Sequence, residues 1–177
     1  MTRRLLTWGA IAVVVALFAY AAAVFAAGAA VVPGQSPAEA RAASYAQIDR
    51  DVERAVEAFL TVDHERIGEL TEEVKKHATG QFAEDYAANE VNLKAAATQA
   101  KAKTTGEVKS IGISEIDDDT AVVYVAADSV VSNKTTKGQK KTKACPYDGK
   151  VCRYYRFKLA MAKQGDEWKI SQLEFVS

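Results

Sequence analysis

Residues 106–131, with the sequence GEVKSIGISEIDDDTAVVYVAADSVV, decide the fold of this chain of 177 residues. The first half carries apolar residues at strand-like spacing and ends in the acidic turn 117–119. These residues are Val108, Ile111, Ile113 and Ile116. The second half, 121–131, is apolar on both sides of a strand. We therefore expect two neighbouring strands, the second of which lies in the centre of a sheet or has its outer face covered.

Two more strands are predicted downstream, at 151–162 and 168–176, with the tight turn Gln164-Gly165-Asp166 between them. Along the first of these, side chains alternate with the period of two that is typical of a strand. One side carries Val151, Tyr155, Phe157, Leu159 and Met161, and the other carries Cys152, Tyr154, Arg156 and Lys158. This alternation predicts one buried face and one face that meets solvent or a partner.

Three helices are predicted ahead of the strands. The first begins at 36–39, where Ser36 and Glu39 form a capping box and Pro37 takes the first helical position. Its apolar stripe is Tyr45, Ile48, Val52, Ala55, Val56 and Phe59. The second, capped by Asp63, carries Ile67, Leu70 and Val74, and the third carries Phe82, Tyr86, Val91 and Ala95 to Ala97. Helices followed by meandering strands predict an α+β domain, with three helices on one face of an antiparallel sheet of about four strands.

The N-terminal segment 5–32 contains no Asp, Glu, Lys, Arg or His and follows directly on Arg3 and Arg4. As a helix it would reach about 42 Å, more than the roughly 30 Å of hydrocarbon in a bilayer. The basic pair predicts a cytoplasmic tip at 1–4, a single transmembrane helix at 5–32, a linker at 33–36 and an exported domain at 37–177. That domain would lie outside the plasma membrane. A cleaved signal peptide is the alternative, and it exports the same domain.

The composition of the exported part narrows the classes of function. The chain carries 23 basic and 23 acidic residues, and without Arg3 and Arg4 the formal charge is −2, so no nucleic-acid partner is indicated. His64 and His77 each fall near a predicted helix end, and we interpret both as structural. The spacings match no metal site, cofactor motif or catalytic constellation. We therefore expect a protein that is not an enzyme.

Cys145 and Cys152 are the two cysteines, and both would lie on the far side of the predicted anchor from the reducing cytosol. Between them, Pro146-Tyr147-Asp148-Gly149 favours a turn that brings the sulfurs within bridging distance. We expect a disulfide at the base of the hairpin between the second and third strands, which contributes about 2 to 3 kcal/mol of stability. A redox role is the alternative, although the spacing is not that of a dithiol catalyst.

The same hairpin holds a cluster of positive charge, with Asp148 as its one acid. Its basic residues are Lys134, Lys137, Lys140, Lys141, Lys143, Lys150 and Arg153. Two interpretations stay open: a solvated loop tip, or a surface that docks an anionic partner, either a protein or a lipid head group. Asp128 is also placed to pair with Arg153 or Arg156 across neighbouring strands, although such a pair has little functional meaning.

The order of these parts resembles the Mce-associated membrane proteins of actinobacteria. The resemblance rests on a Thr-Gly-x-Phe-x-x-x-Tyr stretch, a closing Gly-x-x-Trp strand and a hydrophobic strand after an Asp-rich turn. These are matched by Thr79, Gly80, Phe82 and Tyr86, by Gly165 and Trp168, and by residues 117–125. The resemblance implies a nuclear-transport-factor-2-like, or SnoaL-like, cone in which a curved sheet wraps around helices. The hairpin between Cys145 and Cys152 is not part of that pattern.

The resemblance also implies a function. Such a protein would be a noncatalytic accessory or scaffold subunit of an Mce-type importer of fatty acids or sterols, which helps to assemble or stabilise the transporter in the cell envelope. Its partners would be Mce-family proteins or permease subunits. Two alternatives stay open: a domain that binds lipid directly in the concavity of the cone, and an inner-membrane component of a type IV secretion-like system. An enzyme of the isomerase or epoxide-hydrolase type would need polar catalytic groups in the cone.

Overall fold

The computed structural model describes residues 36–176, and the residues from Ala43 onward form one compact unit. The described range corresponds to the predicted exported domain. The predicted tip at 1–4, the predicted membrane helix at 5–32 and most of the predicted linker lie outside the described residues. Of the helices within 36–176, none is both long enough and apolar enough to span a bilayer.

Within the described range, helices come first and the long strands follow. In chain order the elements are α1 (Pro37–Leu60), β1 (Val62–Asp63), α2 (Ile67–Lys76), α3 (Gly80–Ala100), β2 (Lys103–Ile116), β3 (Thr120–Ser132), β4 (Val151–Gln164) and β5 (Glu167–Phe175). The strands form one antiparallel sheet in the order β1-β2-β3-β4-β5. The predicted α+β fold is confirmed, and β3 is the central strand, as its two apolar faces predicted.

The core lies between α1 and the inner face of β3, β4 and β5. Ile48, Val52 and Val56, from the predicted stripe of α1, are fully buried. They form one cluster with the inward-facing residues Ala121, Val123, Val125, Ala127, Phe157, Leu159, Met161, Trp168 and Ile170. The helix α1 and the sheet therefore bury their apolar sides against each other. Such burial stabilises the fold by about 25 cal/mol for every Å² of apolar surface removed from water. Tyr45, at the start of the stripe, stays 42% exposed.

Irregularities in strand register curl the sheet around the helices. β2 shifts its register against β3 between Val108 and Ser110, and again between Ile113 and Glu115. β4 shifts against β5 just after Ala160. An extra residue of this kind bends its strand and increases the local twist. The result is the predicted curved sheet with helices on its inner side.

Polar contacts tie the helices to the edge strand β5. The buried carboxylate of Asp51 accepts a hydrogen bond from Trp168 N at 2.9 Å, and its other oxygen pairs with Arg54. At the junction of α2 and α3, Thr79 N donates to Ile170 O and Ile170 N donates to His77 O, both at 2.9 Å. α1 and the α2–α3 junction are thus held by the same strand.

The two predicted helix starts have different outcomes. The capping box is confirmed, because Ser36 N donates to Glu39 Oε2 at 2.7 Å and Glu39 N donates to Ser36 Oγ at 3.2 Å. The hydrogen bonds from Ser36 lower the pKa of Glu39. The predicted cap at Asp63 is wrong. α2 begins at Ile67 with Arg66 in the N-cap position, and Asp63 is drawn into β1 by its pairing with Lys103.

Two other expectations differ from the structure. The predicted apolar face of α3 is wrong at Val91, which is 77% exposed. The helix meets the rest of the domain along the side that carries Phe82 and Tyr86, whereas Val91 lies on the opposite, solvent side. The sheet has five strands rather than about four, because β1, two residues long, is too short to show a period in the sequence.

Candidate functional site

The concave side of the sheet is filled by aromatic side chains of the domain itself. Phe59 of α1 lies edge-on to Phe82 of α3 and to Phe157 of β4, with ring centroids 5.8 and 6.2 Å apart. Phe157 in turn contacts Phe175 at 5.2 Å and Tyr155 at 5.6 Å. A chain of rings therefore joins the helices to the sheet, in the region where direct lipid binding would need an open cavity.

A small apolar pocket lies between α2, α3 and the end of α1. Its lining includes Phe59, Leu70, Tyr86 and Leu93, and its volume is about 180 Å³. Small-molecule sites are usually larger, at roughly 300 to 1,000 Å³. The pKa of Tyr86 is raised, mainly by burial and further by the charge of Glu90. The size of the pocket is that of a packing gap rather than that of a lipid site.

An ion-pair network clamps α2 to α3 beside this pocket. Lys75 of α2 pairs with Glu72 and, at 3.1 Å, with Glu90 of α3, and Lys94 pairs with Glu90 from the next turn. The hydrogen bonds from Lys94 and Lys75 lower the pKa of Glu90. Those from Glu72 and Glu90 raise the pKa of Lys75. These charged side chains therefore have a structural role, which is to hold α2 against α3.

A shallow groove crosses the helix-free face of the sheet. Its volume is about 410 Å³, and its lining includes Ser110, Gly112, Tyr124, Ala126 and Arg156. The predicted ion pair of Asp128 does not form within the described residues. Asp128 lies between Glu107 and Tyr154 in the register of the sheet, so neither predicted arginine stands directly opposite it. This face presents the exposed aromatic rings of Tyr124 and Tyr154.

The two histidines lie on either side of α2. His77 ends α2, with its Nε2 3.5 Å from Glu73 Oε1, and His64 N donates to Ala102 O at 3.0 Å in the turn after β1. Within residues 36–176, the His, Cys, Asp and Glu side chains form no group of three suited to a metal ion.

The basic hairpin, residues 133–153, is the feature of the surface that the fold does not explain. Cys145 and Cys152 form a disulfide with a Cα–Cα distance of 5.3 Å. Cys152 belongs to β4 and lies opposite Val130 of β3. The predicted bond therefore fastens the loop to the base of the β3–β4 hairpin, as expected.

Internal hydrogen bonds give the basic hairpin a defined conformation. Thr136, which is buried, donates from Oγ1 to Gly149 O at 2.8 Å, and Gly149 N donates to Gln139 O at 2.8 Å. Gly149 has φ +71°, a conformation that favours glycine. Lys141 N donates to the carboxylate of Asp148 at 3.0 Å. The one acid of the hairpin is thus engaged with the backbone.

The charge of the basic hairpin is uncompensated. All seven of its basic side chains are exposed, and none lies within ion-pair distance of an acid among the described residues. By contrast, eight basic side chains elsewhere in 36–176 do form ion pairs, namely Arg54, Arg66, Lys75, Lys76, Lys94, Lys103, Lys109 and Lys169. The hairpin carries a formal charge of +6, and the rest of 36–176 carries −8.

The opposite end of the sheet is acidic, and sequence reasoning missed this polarity. The turn 117–119 meets the end of β4, since Lys163 N donates to Asp119 O at 2.8 Å. This acidic end comprises Glu115, Asp117, Asp118, Asp119, Asp166 and Glu167. Gln47, in the first half of α1, donates to Asp166 O, so this part of α1 lies at the acidic end. β3 runs from the acidic turn to the basic hairpin, over about 40 Å at 3.3 Å per residue.

Comparison with known families gives one match that spans nearly the whole chain. The profile of the family described as "Uncharacterized protein Rv1363c/MT1408-like" matches residues 8–177. A curated relative from Mycobacterium tuberculosis (strain ATCC 25618 / H37Rv), described as "Uncharacterized protein Rv1363c", is 27% identical over 136 residues. The match covers 77% of this chain and 47% of the relative, so the chain spans about half the length of that relative.

Solved structures share the fold. An IcmL-like type IV secretion system protein from Legionella pneumophila is similar with a TM-score of 0.56 and 14% identity, over 74% of this chain and 91% of that one. CagV, a VirB8 homologue of the type IV secretion system of Helicobacter pylori strain 26695, also has a TM-score of 0.56, with 6% identity, over 75% of this chain and 98% of that one. At such identities the similarity establishes the fold alone.

Proposed function

We propose that this chain, which belongs to the family of Rv1363c/MT1408-like proteins, is a noncatalytic scaffold that is tethered to the membrane and docks on another protein of the cell envelope. The tether is the apolar segment 5–32. The docking module is the folded domain at 36–176. The disulfide between Cys145 and Cys152 supports an oxidising location outside the cytoplasm.

The observation that carries this proposal is the contrast between the filled interior and the charged surface. The inner face of the sheet meets the helices through aliphatic and aromatic side chains, including the fully buried Phe157 and Leu159. Catalysis needs an acid, a base or a nucleophile that converge in a cleft. Apart from the buried carboxylate of Asp51, which is engaged by Trp168 N and Arg54, the charged groups of the described domain reach its outer surface, where they can recognise a partner.

The finer part of the proposal concerns the partner. The resemblance to Mce-associated membrane proteins supports an Mce-family protein or a permease subunit of a lipid importer as that partner. The fold similarity to an IcmL-like protein supports assembly into an envelope complex as a general role, because that protein is described as part of a type IV secretion system. The two resemblances point to different complexes, a lipid importer and a secretion system, but both are compatible with a scaffold role.

Affinity purification tests the proposal. The full chain, tagged at its C-terminus, is expressed in a native actinobacterial host, solubilised in mild detergent, and its co-purifying proteins are quantified by mass spectrometry. We expect Mce or permease subunits in near-stoichiometric amounts, and their absence from a control purification of an unrelated single-pass protein. Recovery of secretion-system components instead would keep the scaffold role and remove the lipid importer. Repeated recovery of the chain alone would contradict the scaffold role itself.

A further inference from the structure

Resting on the proposed scaffold function, we infer that the basic hairpin, residues 133–153, is the docking surface and that its ligand is an acidic surface of a partner protein. Three observations on the hairpin lead to this assignment. They are its uncompensated charge, its fixed conformation and its position in the domain.

The uncompensated charge gives the hairpin affinity for an anion. Six of the nine lysines elsewhere in 36–176 pair with nearby carboxylates, as Lys103 does with Asp63 and Glu65 at 3.3 and 2.7 Å. The hairpin lysines have no such neighbours within the described residues, and the acidic end lies beyond the screening length of about 8 Å at physiological salt. A positive patch that the domain does not neutralise attracts an acidic partner and accelerates the encounter.

The fixed conformation makes the patch a recognition surface rather than a mobile tail. The disulfide at Cys145 and the hydrogen bonds of Thr136 and Gly149 hold both sides of the loop. Tyr154 Oη also donates to Ala144 O, from β4 to the tip. A surface that is ordered before it binds loses less conformational entropy in the complex. The fixed loop also holds the basic side chains at defined positions, so the hairpin can discriminate among acidic partners.

The position of the hairpin favours a protein over the head groups of the anchoring membrane. Gln47 of α1 contacts Asp166 O at the acidic end, and α1 ends at Leu60 beside Gly106 of β2, near the basic end. The first residues of the compact unit that begins at Ala43 therefore lie near the end that anionic lipids repel, and the hairpin lies at the other end of β3. A second copy of the chain also offers an acidic end, so self-association is tested separately.

Binding of a labelled oligoglutamate peptide tests the inference. The full chain is reconstituted in nanodiscs of phosphatidylcholine, and peptide affinity is measured at low and at physiological ionic strength. The test variant is K137E/K140E/K141E. The matched control is R50E/K76E/K163E, which changes the net charge equally at exposed positions outside the hairpin. We expect the peptide to bind, to weaken with salt, and to lose about tenfold or more of its affinity in the hairpin variant alone.

Further arms separate the sources of negative charge. Vesicles of phosphatidylcholine with phosphatidylglycerol, added as competitors, should displace the peptide no better than vesicles of phosphatidylcholine alone. Displacement by the anionic vesicles would overturn the inference in favour of a lipid surface. The wild-type chains in nanodiscs could also associate with one another. If K137E/K140E/K141E abolished that association, the ligand of the hairpin would be a second copy of the chain, and the inference would be overturned. Equal loss of peptide binding in both triple variants, or no binding by the wild type, would also overturn it.

The same variants separate failure of this inference from failure of the scaffold role. In the affinity purification, K137E/K140E/K141E should lose the envelope partner that the wild type and R50E/K76E/K163E retain. If all three recover the partner equally, the scaffold role stands and the hairpin assignment is wrong. If the wild type recovers no partner, the scaffold role itself is wrong, whatever the peptide does.

Discussion

Gly106 lies where α1 ends against β2, and we predict that an alanine there destabilises the domain. A Cβ at position 106 would lie closer than 3.0 Å to Leu60 Cβ, 3.1 Å from Leu60 Cδ1 and 3.3 Å from Leu60 Cγ. Carbon atoms in contact prefer about 3.5 to 4.0 Å. The nearest atom is a Cβ, whose position is fixed by the backbone, so a change of rotamer cannot relieve the clash. Either α1 or β2 has to move.

The magnitude of the effect follows from this geometry. Overpacking of a well-packed region costs about 1 to 3 kcal/mol, and for a domain of this size each kcal/mol lowers the melting temperature by about 2 to 4 °C. Gly112→Ala is the matched control in the same strand, because the nearest atom to its added Cβ is Tyr124 O at 4.0 Å. That variant should be neutral or more stable by about 0.5 to 1 kcal/mol, since glycine weakens a strand.

Urea titrations of the two variants, followed by far-ultraviolet circular dichroism, measure the difference. A second test uses Leu60→Ala, which removes Cγ and Cδ1 but keeps Cβ. In the Gly106→Ala background it should therefore fail to restore stability. The reasoning is refuted if Gly106→Ala is as stable as Gly112→Ala, or if Leu60→Ala restores the stability of the double variant to that of the wild type.

Three further predictions concern the disulfide, the buried hydroxyl of Ser129 and the charge of Glu90. Replacing both Cys145 and Cys152 by serine should lower the free energy of unfolding by about 2 to 3 kcal/mol in urea titrations, because the bond restricts the unfolded chain; equal stability would disprove this. Ser129→Ala should be neutral or stabilising by up to about 1 kcal/mol, because the buried Oγ has no hydrogen-bond partner among the described residues; a clear loss in the same titration would contradict it. Glu90 has a pKa lowered from 4.5, so its carboxylate stabilises the fold above that value and ceases to do so as the pH falls through the lowered pKa. The stability difference between wild type and Glu90→Gln should therefore vanish in acid, and a difference independent of pH would exclude this role.

The sequence predicts the fold well where burial is one-sided. Phe157 lies between Arg156 and Lys158 because one face of β4 is buried, and Val52 and Val56 recur at helical spacing because one side of α1 meets the sheet. Local chemistry was also sufficient at the Ser36 capping box. The disulfide was predictable because both cysteines bracket a turn.

What the sequence does not predict depends on distant contacts. Asp63 has the chemistry of a helix cap, but pairing with Lys103 draws it into β1. Val91 fits an apolar face of α3, but the helix packs along a narrow side and leaves it in solvent. The acidic end joins residues of two separate turns, around Asp118 and Asp166, which only the topology of the sheet brings together. Placing both turns on the predicted sheet would have revealed the charge polarity.

Photocrosslinking in living cells tests the central claim most directly. A photoreactive phenylalanine analogue is placed at Gln139 in the basic hairpin and, as a control, at Asp118 in the acidic end, both of which are exposed. We predict that Gln139 crosslinks to the same envelope protein that co-purifies with the full chain, that K137E/K140E/K141E abolishes this product, and that Asp118 does not form it. Crosslinks to that protein from Asp118 alone, or to lipid alone from Gln139, would contradict the account.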